Sequence, residues 1–270
     1  MKFQTNIDII SPNFSFKPCE RILFVGSCFA DNIGKRFKEE KFRTIVNPFG
    51  VMYNPVSILH TVQKLSNQVF DIAVFTLGTN HVYVEKATEE IVDNCQKRPQ
   101  KLFNEQELTI DESANALREA IHLLRKQNPN VKVIVTVSPI RYAKYGFHGS
   151  QLSKATLLLA ADKIAREEGE AVYYFPAYEI VNDELRDYRF YKADMLHPND
   201  QAVEYIWERL VATCFSSEAK KFLEAWRPIK EALGHRPFNP DSEAYRLFMQ
   251  KTKEKIQWLK QLYPDLELDE

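Results

Sequence analysis

A serine, a histidine and an aspartate in this chain have the types and spacing of an acyl-transfer site. Ser27 directly follows the apolar run 22–25 and directly precedes a helical pattern, so it lies at a strand-to-helix turn. The free N–H groups of a helix N-terminus favour the oxyanion that forms when a serine attacks a carbonyl. Serine is also among the best helix N-cap residues, so the position alone fits a structural role equally well.

A base for Ser27 is available in the loop before the last helix of the alternating pattern. His197 follows Asp194 by three residues, and at this spacing a carboxylate can fold back onto the imidazole Nδ1. That contact holds the tautomer in which Nε2 accepts a proton. We therefore predict Ser27 as the nucleophile, His197 as the base and Asp194 as the residue that orients the base.

Cys28 is the alternative nucleophile, because a thiol at a helix N-terminus is activated by its surroundings. The residue after a nucleophile turn normally begins the helix with its side chain turned away from the cleft, which favours Ser27. Two further loops offer donors for an oxyanion hole. Gly50 has an unhindered N–H and Asn80 a side-chain amide, and with the N–H of Ser27 they provide three donors at one edge of the predicted sheet.

Four other polar residues are predicted to contact the substrate. They are His81, Arg98, Arg141 and His148. Arg141 has an equally good structural interpretation, an ion pair with Glu179 or Asp183. The histidines show neither His-x-x-x-His nor His-Glu-x-x-His spacing, so we predict no metal site, and the chemistry requires no cofactor.

The elements that must position these residues alternate between strand and helix signals, which predicts a parallel sheet covered on both faces. The predicted strands are 22–25, 44–46, 72–77, 131–137 and 172–175. Helices are predicted around Phe29–Phe37, Leu117–Leu124, Leu152–Leu159 and Val203–Leu210, and residues 83–110 form a polar excursion, interpreted as a hairpin. Residues 1–215 are predicted as one domain, and residues 216–270 as a helical extension that either packs on it or mediates homo-oligomerisation.

Composition excludes several classes of function. The net charge of the 270 residues is −1, with basic residues scattered along the chain, so there is no electrostatic footprint for nucleic acid. No apolar run approaches the roughly 20 residues that span a bilayer. The four cysteines form no CxxC pair, which fits reduced thiols, and together with a start that lacks a signal-peptide pattern this predicts a cytoplasmic protein.

The order Ser, Gly, Asn and His after successive strands, with Asp three residues before His, resembles the SGNH (GDSL) hydrolase superfamily. Residues 26–30 read GSCFA, which is similar to the motif of the GSCFA-domain family, a bacterial SGNH-like group. Further similar stretches are 138–141, 148–155 and 178–191, and the resemblance covers residues 3–210 and, more weakly, the tail. Two blocks differ from the superfamily pattern, because Gly-Asp-Ser reads Val25-Gly26-Ser27 and Gly-x-Asn-Asp reads Gly78-Thr79-Asn80-His81.

This resemblance implies a three-layer α/β/α sandwich with a central five-stranded parallel sheet. It also implies Ser27 as nucleophile, Gly50 and Asn80 as oxyanion donors, and His197 with Asp194 as the activating pair. The predicted activity is that of a serine esterase or acyltransferase acting on a small acyl ester or amide of a carbohydrate or cell-wall precursor. Two alternatives are a binding module that retains the pocket without turnover and an interaction protein that uses its helical tail.

Overall fold

The computed structural model describes residues 1, 4–93, 95, 98–266 and 268. Phe3, where the family resemblance begins, lies outside the described residues, as do three residues of the predicted polar excursion. The strands are β1 (Arg21–Gly26), β2 (Arg43–Val46), β3 (Ile72–Leu77), β4 (His81–Glu85), β5 (Ile91–Val92), β6 (Phe103–Glu107), β7 (Lys132–Val137) and β8 (Val172–Tyr174). The α-helices are α1 (Cys28–Glu39), α2 (Pro55–Lys64), α3 (Ile110–Gln127), α4 (Gly146–Glu168), α5 (Ala177–Glu179), α6 (Asp200–Cys214), α7 (Ser217–Gly234) and α8 (Glu243–Leu262).

Five parallel strands form the central sheet in the order β2-β1-β3-β7-β8. Alternate residues of each strand enter two separate apolar cores. Phe24 and Val74 pack with α1, α6, α7 and α8, whereas Leu23 and Phe75 pack with α2, α3 and α4. The predicted three-layer α/β/α sandwich and its five strands are therefore confirmed. Because all five strands run the same way, their carboxyl ends and the loops after them meet at one edge.

The excursion after β3 forms a second, three-stranded antiparallel sheet in the order β5-β4-β6. It begins at His81, two residues earlier than the sequence predicts, and projects beside the carboxyl edge of the central sheet. This small sheet therefore provides a wall next to the loops that carry the predicted site.

Helix α4 buries a different face from the one its leucines predict. Leu152 and Leu159 are each more than half exposed, whereas Ser153 and Lys154 are buried. The helix turns this polar pair inward because both side chains bind the loop after β3. Helix α2 has no counterpart among the predicted helices, although Asn54 caps its first turn by accepting the N–H of Ser57 at 2.9 Å.

The C-terminal helices pack on the α1 side of the sheet. Trp226 Nε1 donates to the Glu39 carbonyl at 3.1 Å, and Lys230 Nζ lies 2.8 Å from Glu40 Oε1. Leu259 of α8 is fully buried in the same apolar core as α1. Within the described residues, no helix has the length and hydropathy needed to cross a membrane.

Candidate active site

The turn between β1 and α1 has a backbone that only glycine fits at its first position. Gly26 has φ of +146°, and a Cβ placed there would lie 2.2 Å from the Thr76 carbonyl oxygen of β3. The Gly26 N–H donates to Asn47 Oδ1 at 2.9 Å. The glycine and Asn47 together fix the direction in which the chain enters α1, and so the positions of the next two side chains.

Ser27 is fully buried and its polar groups are all engaged. Its Oγ accepts the N–H of Phe29 at 3.3 Å, which caps α1, and lies 3.1 Å from Thr76 Oγ1. Its N–H donates to the Thr76 carbonyl at 3.0 Å. Among the described residues, no hydrogen bond joins Ser27 to His197. In this conformation Ser27 acts as a helix cap, and its nucleophilic role stays a prediction.

Cys28, the first residue of α1, is half-buried. Its Sγ lies 3.7 Å from the hydroxyl oxygen of Tyr53. Burial, followed by the contact with the Cys28 thiol, raises the pKa of Tyr53 to about 12. Tyr53 therefore remains a protonated phenol at neutral pH, and it can donate a hydrogen bond to the sulfur.

Asp194 and His197 are paired in the loop before α6. Asp194 Oδ2 lies 2.7 Å from His197 Nδ1, and Oδ1 accepts the N–H groups of Leu196 and His197 at 2.9 and 3.0 Å. These hydrogen bonds, the backbone ones first, lower the pKa of Asp194 to about 2. The carboxylate is therefore ionised throughout the neutral range. His197 Nε2 has no hydrogen bond within the described part of the chain, so it is free to exchange a proton.

Arg141 braces the loop that carries this pair. Its N–H donates to the Leu196 carbonyl at 3.0 Å, and its Nη1 donates to the Met195 carbonyl at 2.9 Å. Met195 adopts a left-handed backbone with φ of +57°, which a residue other than glycine takes only with support from its surroundings. Arg141 supplies that support, and it forms no ion pair with Glu179 or Asp183 in the described structure.

The donors predicted for the oxyanion hole already have partners. The Gly50 N–H donates to the Asn47 carbonyl at 2.9 Å, and Asn80 Nδ2 donates to the Leu108 carbonyl at 2.8 Å. The Ser27 N–H is bound to β3, as described above. An oxyanion role would require each backbone N–H to give up its hydrogen bond, whereas Asn80 retains a second amide N–H.

The loop that carries Asn80 is held from below by α4. Lys154 Nζ donates to the carbonyls of Gly78 and Ser138, both at 2.7 Å. Ser153 Oγ accepts the Asn80 N–H at 3.0 Å. Burial alone lowers the pKa of Lys154 to about 7. These contacts join the ends of β3 and β7 and fix the position of the Asn80 loop.

Tyr142 has a buried hydroxyl without a hydrogen-bond partner in the described structure. A Cβ placed on Gly78 would lie 2.6 Å from this hydroxyl and 3.3 Å from Ser27 Cβ, so the hydroxyl and the turn flank the same point. Burial, then the neighbouring Tyr53 and Cys28, raises the pKa of Tyr142 well above its ordinary value. The site therefore contains a buried, protonated O–H donor that lacks an acceptor.

A cavity of about 440 Å³ opens beside this point, between the small sheet and the loop 142–145. His81 and Tyr145 stack across it with ring centroids 3.6 Å apart and planes 5° from parallel. Burial lowers the pKa of His81 even though two carboxylates lie nearby, so the ring is neutral at pH 7. Tyr53 and Tyr142 also line this cavity, and it therefore adjoins Cys28 as well as the small sheet.

The predicted substrate contacts are thus divided. His81 and Arg98 line the cavity, but the guanidinium of Arg98 is paired with Glu85 Oε1 at 2.5 Å. His148 is exposed in the first turn of α4, away from the cavity lining. Arg141 supports the histidine loop instead of lining the cavity. No group of three or more His, Cys, Asp or Glu residues suited to a metal ion occurs in the part of the chain that the structure describes.

Four residues of the site were not predicted: Asn47, Tyr53, Tyr142 and Lys154. Asn47 and Lys154 lie within or beside stretches that the sequence analysis singles out, namely 47–50 and 148–155. Tyr142 directly follows the stretch 138–141. Their polar character in otherwise apolar surroundings was the available signal, but only the tertiary packing shows what each one binds.

Comparison with known proteins identifies the family and the fold. The model of the GSCFA family matches residues 21–71 and 66–210, and that of the GSCFA domain protein C-terminal domain matches residues 226–270. No curated protein matches the chain. A solved protein described as a GDSL-like lipase from Parabacteroides merdae is 16% identical, with a TM-score of 0.50 over 75% of this chain and 100% of its own. An acetyl-xylooligosaccharide esterase from Geobacillus stearothermophilus, printed as Stearmophilus, is 14% identical, with a TM-score of 0.49 over 76% and 98% of the two chains.

Proposed function

Because this chain belongs to the GSCFA family and has the sandwich fold of SGNH hydrolases, we propose that it is a hydrolase or acyltransferase acting on a small acyl ester or amide. The observation that carries the proposal is the pair formed by Asp194 and His197. An ionised carboxylate 2.7 Å from Nδ1 fixes the imidazole tautomer and leaves Nε2 as a proton acceptor. The nucleophile comes from the Ser27–Cys28 turn, one loop away along the same sheet edge.

Two contacts of the loop after β7 support the pairing of this base with this turn. Arg141 binds the histidine loop through two carbonyls, and the next residue, Tyr142, has its hydroxyl beside Gly78 and Ser27. Base and nucleophile turn are thus attached to adjacent residues of one loop. Catalytic hydrogen bonds in unliganded enzymes commonly tighten only when substrate binds.

The cavity supports an uncharged ring-shaped acceptor such as an acylated sugar. Its walls include the stacked rings of His81 and Tyr145, and aromatic faces pack well against the apolar face of a sugar ring. Both nearby cations are already paired, Arg98 with Glu85 and Lys144 with Glu105. An anionic acceptor would have to compete with those carboxylates, whereas a neutral carbohydrate ester would not.

In the proposed reaction, His197 takes the proton of the nucleophile and passes it to the leaving alcohol. Water then completes hydrolysis, or a sugar hydroxyl completes transfer. Asp194 keeps the imidazole oriented throughout and stabilises its protonated form. The residues of the cavity hold the acceptor, and no cofactor takes part.

Hydrolysis of 4-nitrophenyl acetate and of acetylated xylo-oligosaccharides by the full chain tests this proposal. We expect measurable turnover that falls by at least about a hundredfold in His197→Ala. His148→Ala is the matched control, because His148 is exposed and away from the cavity. Absence of turnover with both kinds of ester, in a protein shown to be folded, would contradict the proposal.

A second candidate function is a binding module that retains the pocket without turnover. It is favoured by the observation that two of the predicted oxyanion donors, the N–H groups of Ser27 and Gly50, are bound to carbonyls. Saturable binding of an acylated oligosaccharide without its hydrolysis, weakened by Tyr145→Ala, would support this candidate.

A further inference from the structure

We infer that the nucleophile of the proposed reaction is the thiol of Cys28, so that the covalent intermediate is a thioester. This inference rests on the proposed function and assigns the chemistry of its central step. It differs from the serine mechanism that the sequence predicts, and it follows from the different environments of two adjacent side chains.

Ser27 is badly placed for attack on a carbonyl carbon. The residue is fully buried, and its Oγ caps α1 at 3.3 Å while lying 3.1 Å from Thr76 Oγ1. Attack would require the side chain to leave both partners and the turn to open for the substrate. Losing a serine cap alone costs about 1 kcal/mol of helix stability.

Cys28 is better placed on each of these points. Its side chain is half-buried, and its only hydrogen-bond contact in the described structure is with Tyr53, which lines the cavity. It is the first residue of a 12-residue helix, so the α1 dipole stabilises a thiolate there. Asp31 in the same turn carries an opposing charge, but its Oδ1 is hydrogen-bonded to Asn47 Nδ2 at 2.6 Å.

The unpartnered hydroxyl of Tyr142 is the independent observation that points to a ligand at this place. It is buried beside the turn, and the electrostatic influence of Cys28 contributes to its raised pKa, so the two groups are close neighbours. A buried O–H without an acceptor is costly unless another molecule supplies one. The oxygen of a carbonyl under attack by Cys28 Sγ would supply it, and Tyr142 would then stabilise the oxyanion in place of the occupied backbone N–H groups.

The proposed steps balance without an oxidant or a reductant. The thiol proton passes from Sγ to His197 Nε2 as Sγ bonds to the carbonyl carbon. The bond between that carbon and the leaving oxygen breaks, and the leaving alcohol takes the proton from His197. Water or a sugar hydroxyl then gives a proton to His197 as its oxygen attacks the thioester. The Sγ–carbon bond breaks, and the thiol regains the proton.

Trapping of the acyl-enzyme tests the assignment. The full chain is mixed with 4-nitrophenyl acetate, quenched in acid, digested and mapped by mass spectrometry, with half of each sample first treated with neutral hydroxylamine. We expect acetyl on Cys28 that hydroxylamine removes, because thioesters react readily with this nucleophile and oxygen esters do so slowly. In Cys28→Ser we expect an adduct that resists hydroxylamine and a slower reaction.

Turnover of the variants gives the second readout. We expect Cys28→Ala to lose at least about a thousandfold in kcat/KM, as removal of a nucleophile does. Ser27→Ala should keep the Cys28 adduct and lose far less activity. Cys19→Ala, which removes another half-buried thiol remote from the cavity, is the matched control and should leave activity unchanged. Far-ultraviolet circular dichroism verifies that each variant is folded.

The failures of the two proposals can be told apart. Acetyl found on Ser27 in a protein that turns over the ester would overturn the Cys28 assignment and leave the proposed function standing. Turnover that persists in Cys28→Ala would do the same. A folded wild-type chain with neither adduct nor turnover would overturn the proposed function, and the Cys28 assignment with it.

Discussion

Replacement of Lys154 by methionine should change how the stability of this protein depends on pH. The side chain is buried on α4, and its Nζ donates to two strand-end carbonyls, Gly78 and Ser138, both at 2.7 Å. Methionine has a similar length and shape but no N–H group. The substitution therefore removes the titrating group and both hydrogen bonds while keeping the packing of the helix nearly unchanged.

The magnitude follows from the pKa of the amine. Burial lowers the pKa of Lys154 from 10.5 to about 7 in the folded chain, whereas the unfolded chain keeps the ordinary value. Below about pH 7 both states bind the proton, and the cost of burying the charge is fully present. Between about pH 7 and 10 the unfolded chain binds a proton that the folded chain does not, so the free energy of unfolding rises with pH. From about pH 6.5 to about pH 9 the gain is about 2–3 kcal/mol.

Lys154→Met lacks this gain and also leaves two buried carbonyls without a donor, at about 1–3 kcal/mol each. The difference in unfolding free energy between the wild type and the variant should therefore widen by about 2–3 kcal/mol between about pH 6.5 and about pH 9. Urea denaturation of both proteins at the two pH values measures it, and the other titrating groups, present in both, cancel. Lys163→Met, on an exposed pair with Asp111 of α3, is the control that should show a constant difference. A difference for Lys154→Met that does not change with pH would refute the reasoning.

Three further predictions concern the site. Asp194→Asn should lower kcat for 4-nitrophenyl acetate by up to roughly 10⁴-fold, because the amide favours the wrong tautomer of His197; a kcat within tenfold of wild type would contradict this. Arg141→Ala frees the Met195 carbonyl and should lower kcat by roughly ten- to a hundredfold with KM nearly unchanged, and Arg141→Lys should recover part of the loss; a change confined to KM would instead indicate substrate binding. Gly26→Ala should lower the free energy of unfolding by about 3 kcal/mol or more in urea denaturation, since the added Cβ meets a β3 carbonyl at 2.2 Å; near-normal stability would show that the turn can shift.

The sheet could be predicted from the sequence because its strands are buried on both faces. A strand covered twice must be apolar at every position, and such runs stand out even when they are only four to six residues long. Helix α4 shows where the same reasoning fails. Its exposed leucines, Leu152 and Leu159, follow the spacing of a buried face, whereas the face that is buried includes Ser153 and Lys154. A buried lysine whose partners are carbonyls of two distant strand ends leaves no periodic signal.

Within the site, the sequence predicts the contacts that depend on local chain geometry. Asp194 and His197 are three residues apart, and a single loop decides whether they meet. Whether Ser27 or Cys28 faces the cavity depends instead on groups remote in sequence. Thr76 of β3 binds both the N–H and the side chain of Ser27, and Tyr53 lies against the thiol. No spacing rule contains this information, because it arises only when the strands pair.

The short segment after β7 makes the proposed base and nucleophile depend on one another. Through Arg141 it fixes the carbonyls of the histidine loop, and through Tyr142 it reaches the turn that begins α1. Lys154 binds the Ser138 carbonyl at the start of this segment and the Gly78 carbonyl beside the turn. A shift of the segment would therefore move the base and the oxyanion donor together relative to the sulfur. For this reason we expect substitutions at Lys154 to lower kcat as well as stability, although the lysine touches no substrate.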